Sequence, residues 1–343
     1  YAFGSEQPRS DVWRDFAAAE AFVPRIGMER VDGRSRLTVA IPEDESPDGT
    51  LDLLASMRHP DQIPIMDPGD HSIESLPHVT EWAQSVTNAV KAISAGELEK
   101  VVLTRSVRVD SSEPVAILRV FRELVASYPE CYNFAWKSGD SVYMGASPEL
   151  LARIDGGIFR SNPLAGSAPR GEGDGADLRI GQELVESGKN QEEHRIVVVD
   201  MHDRLDGLVE DLRIPDTPIL KKLATVQHLS TDITGTVAPD TGLLDAVAAV
   251  HPTPAVGGVP RDAAVRFIDD VEYRERGWYT GGIGYVTPAG EGAIAIGLRC
   301  GVVQGATTHL FAGAGIVADS QPSAELAETR LKLRPLLDIL AAT

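Results

Sequence analysis

Apolar positions recur along the chain with two periods, and each period predicts a kind of element. Val79, Trp82, Val86, Ala89, Val90 and Ile93 fall at helical spacing, and Gly96 stands beyond them as a stop. Residues 100–109 alternate instead. Val101, Leu103, Val107 and Val109 face one way and Lys100, Val102, Thr104, Ser106 and Arg108 the other, which predicts a strand. Pro114 opens an amphipathic helix to about Ser127, with Leu118, Phe121 and Leu124 or Val125 inward. Strands follow near 131–136, 141–146, 150–154 and 157–161. Lys137-Ser138-Gly139-Asp140 and Asp155-Gly156 are hairpin signals between them.

Further on, residues 189–209 read as a helix and 241–250 as another. The second runs into the rigid loop His251-Pro252-Thr253-Pro254-Ala255-Val256-Gly257-Gly258. Two long strands are predicted near 281–287 and 291–303, turning at Pro288-Ala289-Gly290. In the second, Ala293, Ala295, Gly297 and Arg299 share a face, and small residues around one Arg leave room for a ligand or for close packing. From Phe311 an apolar strand leads to a Gly313-Ala314-Gly315 turn, then to a Ser/Pro helix start. Residues 43–77, rich in Pro, Asp and Ser, read as irregular surface or a linker. Hairpin strands beside helices predict an α+β (α/β) fold, not a doubly wound parallel sheet.

Composition narrows the function classes. The 343 residues are 43% hydrophobic, ample for a large core. The pattern is that of a soluble protein, with no apolar run near the roughly 20 residues that span a bilayer. The formal net charge is −19, which repels nucleic acid and anionic membranes. An anionic substrate then needs a local positive site built from few basic residues. Cys131 and Cys300 make no disulfide framework, so a reducing, cytoplasmic setting is expected. The chain begins at Tyr1, and its true N-terminus is left open.

Several segments carry candidate chemistry. Glu325, Glu328 and Lys332 lie three and four residues apart, on one helix face. Carboxylates beside exposed backbone N–H groups suit a hard cation such as Mg²⁺ with an anion, though Glu328–Lys332 also suits an ordinary surface pair. Lys100, at the mouth of a strand, acts as a general base if desolvated and is otherwise solvated. Glu149 lies between two apolar strands, where burial favours general-acid use; a turn contact is the plainer role. Glu193-His194 lacks the HExxH spacing of a zinc site, and an inward Glu193 joining Glu328 on Mg²⁺ fits better. The loop Pro163–Gly171 can donate N–H groups to a carboxylate but is no P-loop, and no GxGxxG opens a βαβ unit.

In order, these segments resemble the chorismate-utilising enzymes, the family that includes anthranilate synthase component I. The matching stretches are KVVLTR at 100–105, ASPELL at 146–151, PLAGSAPRG at 163–171, KNQEEH at 189–194, HPTPAVG at 251–257, and residues 277–284, 296–300 and 311–332. Residues 1–78 carry none of this signal, and they are expected to be an N-terminal part completing one large domain whose catalytic region is 79–343. The resemblance implies two packed antiparallel sheets with helices outside and the active site between the sheets. It implies that Lys100 activates water for attack at ring C2 and that Glu149 protonates the departing C4 hydroxyl. Glu193 and Glu328 would hold Mg²⁺, with Glu325 orienting water or metal from behind. Gly166, Ser167 and Gly313 would meet substrate carboxylates. Arg299, with Tyr279, would bind the enolpyruvyl carboxylate, Lys332 would anchor the substrate and Ala255 would line the ring pocket.

Within that family, PLAGSAPRG and HPTPAVGG look like isochorismate synthase. Amine-transferring members lack a Lys at position 100, and aminodeoxychorismate synthases often carry a nucleophilic Lys where this chain has Ala165. Salicylate synthases typically read Gly-Thr-Arg where this chain has Gly166-Ser167-Ala168. Thr280 departs from the small Ser or Gly of relatives. The expected activity is Mg²⁺-dependent conversion of chorismate to isochorismate by a monomer, with no nucleic-acid or membrane partner. The alternatives are salicylate synthase, anthranilate synthase, or a non-catalytic carboxylate-binding regulator. Lys100 together with Glu149 argues against the last, because binding alone needs neither acid nor base.

Overall fold

The computed structural model describes residues 1–4, 7–31, 33–57, 70–272 and 274–342. Its chain divides into two compact units, Tyr1–Ala18 with Met66–Thr343, and Ala19–Ile65. In the smaller unit the strands Ile26–Val31 and Arg34–Val39 pair as an antiparallel hairpin. The helix Pro47–Ser56 follows, so this stretch is not the irregular linker its composition suggests. Ser46 accepts a hydrogen bond from the Asp48 N–H and Pro47 occupies the first turn, a helix start written in the sequence but masked by its polar content. The remainder of the expected linker includes a strand, His71–Leu76, while 58–69 lie outside the described residues.

The larger unit is built on a seven-stranded and a six-stranded antiparallel sheet. At the centre of the first, Lys100–Ser111 runs against Thr307–Ile316, with Val101 opposite Ile316 and Val102 opposite Gly315. The face carrying Val101 and Leu103 packs on Trp82, Val86 and Ala89 of the helix Val79–Ser94, as the two periods require. Val107 and Val109 continue that face onto Val120, Leu124 and Leu333. Each such large side chain contributes about 1.5–3 kcal/mol through burial. Gly313-Ala314-Gly315 is therefore not a turn but the interior of a strand. Its glycines fall on the face shared with Val102 and Thr104, where absent side chains leave backbone open to other groups.

Three further expectations need correction. The helix after Pro114 is Ile117–Ser127, and it buries Val120 and Leu124 while Leu118 and Val125 are exposed. The expected 189–209 helix is Gly188–Leu205; Gly207, with φ 77°, turns the chain into the strand Val209–Arg213. The expected strand 291–303 is two strands, Gly292–Ile296 and Cys300–Gln304, in different sheets. Arg299 between them has φ 50°, so it cannot share a pleat with Ala293 and Ala295.

That break is matched by another. Ser141–Ser147 belongs to the seven-stranded sheet and Leu150–Asp155 to the six-stranded one, with Pro148-Glu149 between. The two crossings are tied together: the Ile296 N–H donates to the Glu149 carbonyl at 3.1 Å, and the Ala146 N–H to the Arg299 carbonyl at 3.2 Å. Glu149 and Arg299 thus stand where the chain changes sheets, and one cavity opens beside both. A small third sheet, with Leu164–Pro169 paired to Val226–Ser230, adds another wall.

Candidate active site

One cavity is lined by Glu149, Gly166, Ser167, Glu193, Ala255, Tyr279, Arg299, Gly313 and Lys332, gathered from strands, loops and two helices. Lys100 is not part of that lining but stands directly behind it, with Nζ 3.2 Å from Oε1 of the lining Glu193. Far from solvated, Lys100 is 0% exposed, and its Nζ has no hydrogen-bonding geometry to any described group. A buried ammonium touching a carboxylate with donors to spare is a costly arrangement outside a functional site. Gly315 makes the approach possible: a Cβ there would collide with Glu193 Oε1 and sit 3.0 Å from Lys100 Cε.

Glu149 is 3% exposed. Its N–H donates to Ser147 Oγ at 3.3 Å, the turn contact, while its Oε1 accepts the Leu164 N–H at 3.4 Å. Burial pushes its pKa up to about 7, against the pull of that N–H and of Lys100 and Lys221. The group is thus a proton donor near neutrality. Lys221 carries no motif that marks it in the sequence. It donates to the Pro148 carbonyl at 2.7 Å and to Asn162 Oδ1 at 2.9 Å, which fixes the turn bearing Glu149.

Arg299 is 8% exposed and pairs with no carboxylate among the described residues. Its Nη2 donates to Nε2 of His228 at 2.9 Å, and its Nε is unpartnered. An Arg only donates, so Nε2 accepts and the His228 proton is on Nδ1. Nδ1 lies 3.1 Å from the Gly166 carbonyl and 3.0 Å from Ser167 Oγ. Burial and Arg299 hold the His228 pKa well below its usual value, so the ring is neutral. Burial lowers the Arg299 pKa, and neutral His228 adds no competing charge beside it, which leaves the guanidinium open to an anionic ligand. His228 sits in an apolar strand, VQHLS, and only its pairing opposite Ser167 marks it.

Three glutamates each meet a lysine. Besides Lys100–Glu193, Lys332 lies 2.6 Å from Glu328 and Lys189 2.7 Å from Glu325. The i,i+4 contact of Glu328 is real yet not superficial, since Lys332 also donates to the Gly313 carbonyl at 3.0 Å in the cavity wall. Burial alone would raise the Glu328 pKa, but Lys332, Lys189 and the Ser167 hydroxyl bring it below its usual value. Burial and the charge of Glu328 raise Glu325. Burial works against the charge on Lys189, but Glu325, Glu193 and Glu328 together raise its pKa, so the three carboxylates lie within electrostatic reach of one point.

No group of three or more His, Cys, Asp or Glu among the described residues is assembled for a metal. Mg²⁺ does not require one, because it is held by one or two carboxylates plus water and substrate oxygens. Glu193 and Glu328, hard oxygen donors now matched by lysines, fit that role. His194 does not join them: its Nε2 meets Thr231 Oγ1 at 2.7 Å, and burial and then Lys100 hold its pKa at about 4.

An acid, an embedded lysine and an uncompensated arginine around one cavity define an enzyme for an anionic substrate. A family model described as chorismate binding enzyme matches residues 1–341, and the chain belongs to that family. It is 33% identical over 345 residues to isochorismate synthase MenF of Bacillus subtilis, covering 99% of this chain and 73% of that protein. It is 34% identical to the salicylate biosynthesis isochorismate synthase of Pseudomonas aeruginosa, covering 100% of this chain and 73% of the relative. The fold matches MenF, the menaquinone-specific isochorismate synthase of Escherichia coli, with a TM-score of 0.85 and 29% identity over 92% of this chain and 74% of that one. Anthranilate synthase component I of Streptococcus pneumoniae shares the fold at a TM-score of 0.74 and 24% identity, over 88% of this chain and 69% of that one. No helix among the described residues is long and apolar enough to cross a membrane.

Proposed function

We propose that this protein is an isochorismate synthase, an isomerase that converts chorismate to isochorismate. The observation that carries the reading is the buried Lys100, touching the lining Glu193, behind a cavity that is also lined by the buried Glu149, whose pKa is raised to about 7. In this reading Lys100, as general base, takes a proton from water as the water oxygen bonds to ring C2. Glu149 gives its proton to the C4 hydroxyl, which leaves as water while the ring double bonds shift. Water enters and water departs, so the net change is isomerisation. Arg299, oriented by its hydrogen bond to neutral His228 and near Tyr279 in the cavity wall, takes the enolpyruvyl carboxylate. Lys332 and the backbone of Gly166, Ser167 and Gly313 hold the substrate, with Ala255 against the ring. Mg²⁺ on Glu193 and Glu328, with Glu325 behind, would supply positive charge against the ring carboxylate.

Supporting the reading, two relatives that span nearly all of this chain are named isochorismate synthases. The division of labour along the chain is part of it: 79–343 is the catalytic region and 1–78 completes the fold. Trp13 and Phe16, buried with Tyr143 and Trp278, support that for the first residues. We read the protein as a monomer acting in the reducing cytoplasm, in keeping with free Cys131 and Cys300. The product would serve menaquinone, siderophore or salicylate formation according to the enzyme that consumes it.

The test is an end-point assay with chorismate and Mg²⁺, with and without EDTA, resolving products by chromatography. Isochorismate without pyruvate supports the reading. Salicylate with pyruvate would replace it with salicylate synthase.

A further inference from the structure

Behind the cavity wall lies a buried ion pair that none of the assigned roles uses. Glu272 and Arg276 have side chains 5% and 3% exposed, with Oε1 and Nη2 2.5 Å apart. Salt bridges this deep contribute little net stability over an apolar pair of similar volume, so their contacts matter more than their charge. Arg276 Nη1 donates to the Val256 carbonyl at 2.6 Å and Nη2 to the Val102 carbonyl at 2.7 Å. Glu272 accepts the Thr104 N–H at 2.8 Å and the Thr104 hydroxyl at 2.9 Å. The Arg276 carbonyl accepts the Tyr279 N–H at 3.0 Å, and its guanidinium lies 4.2 Å from the centre of the Phe3 ring.

These partners belong to distinct walls of the site. Val102 is two residues from Lys100 on its strand, Val256 follows Ala255 in the cis-proline loop, and Tyr279 lines the cavity. The first two also meet directly by edge pairing: Val102 N–H to the Gly257 carbonyl at 2.7 Å, Gly258 opposite Val101 and Val259 opposite Lys100. We infer that the Glu272–Arg276 pair is a positioning device that clamps the Lys100 strand to the 251–257 loop and so sets where the base stands against the substrate ring. Arg suits this place because its planar fork reaches two carbonyls and a carboxylate at once, which an ammonium on a flexible stem does not. The inference rests on the isochorismate synthase reading.

The test compares wild type with Arg276→Lys and with the double variant Glu272→Gln/Arg276→Met. The double variant removes both charges together, and the amide oxygen introduced by Glu272→Gln can still accept from Thr104, so its fold is spared an unpaired buried charge. Its melting temperature is expected within about 5 °C of wild type. Its kcat is expected to fall about 10- to 100-fold, with KM for chorismate within about threefold, as small misplacements of a catalytic group do. Arg276→Lys keeps the charge but not the fork, and its kcat is expected to fall about tenfold. A double variant with wild-type melting and wild-type kcat would overturn the clamp. So would kcat losses that track the melting temperature across the series. Failure of the wild type to make isochorismate is a different result, seen before any variant is compared, and it would overturn the functional reading.

Discussion

At the scale of single residues, the site is two ionisable groups taken out of water. Lys100 is sealed from solvent beside Glu193, and burial raises the Glu149 pKa to about 7. Lys100→Ala should abolish turnover while chorismate binding stays within an order of magnitude; general base catalysis contributes about 10²–10⁴-fold. Steady-state rates beside calorimetric titration check it, and near-normal turnover would remove Lys100 from the chemistry. Glu149 makes a prediction about stability. Its pKa rises from 4.5 unfolded to about 7 folded, so the folded state favours the protonated carboxyl. The unfolded state loses that proton first, and stability falls as pH rises from about 4.5 to about 7. Glu149→Gln should then be more stable than wild type by up to about 3 kcal/mol above pH 7, with the gain fading toward pH 4.5. Urea unfolding at several pH values measures this, and a pH-independent difference would contradict it. The same variant should lose about 10²–10⁴-fold in kcat, because the amide donates no proton to a leaving group.

At the scale of elements, the glycines of Thr307–Ile316 define where side chains can converge. A methyl at Gly315 would overlap Glu193 Oε1 and press on Lys100 Cε, so the Glu193 carboxylate would have to leave its place and swing toward the cavity it lines. Gly315→Ala should keep the secondary structure by circular dichroism and lose at least about tenfold in kcat. Full activity would show that Glu193 is not held where this strand leaves room for it. The sequence displayed this stretch plainly as Gly-Ala-Gly, and a turn was the natural local reading, since glycine is the usual turn residue. The pairing of Gly315 with Val102 and Gly313 with Thr104 made it a strand, and no local signal encodes a partner some 200 residues away. The crossing at Arg299 escaped for a related reason. Apolar alternation runs unbroken on either side, and only the change of sheet, with φ 50°, reveals the interruption.

At the scale of the whole molecule, an acidic protein holds an anion by pooling cations and hiding acids. Its net charge is −19, yet Arg299 and Lys332 line one cavity, with Lys100 behind the lining Glu193. Under the proposed function, Glu193 and Glu328, now matched by lysines, would hold Mg²⁺. EDTA should therefore abolish activity and Mg²⁺ restore it. Glu328→Gln should lose activity and its Mg²⁺ dependence together, since the amide is a weaker ligand for a hard cation. Titration of Mg²⁺ against the variant by calorimetry separates lost binding from lost chemistry. Full activity in excess chelator would remove the metal from the mechanism.

The sequence by itself determined the α+β character, the helix Val79–Ser94, the strand from Lys100 and the ordered motifs that marked the family. Those are properties of local periodicity and of residue types at short spacing. Through the ordered motifs it also named half of the groups that line the cavity, Glu149, Glu193, Arg299 and Lys332 among them, while Lys100, Glu325 and Glu328 stand outside that lining. Tertiary structure alone decided that Lys100 is buried and matched to Glu193, and that Arg299 is served by His228. It also decided that Glu272 and Arg276 brace the wall. Each of these depends on contact between residues far apart in the chain, and burial, protonation and ion pairing are set by such contacts.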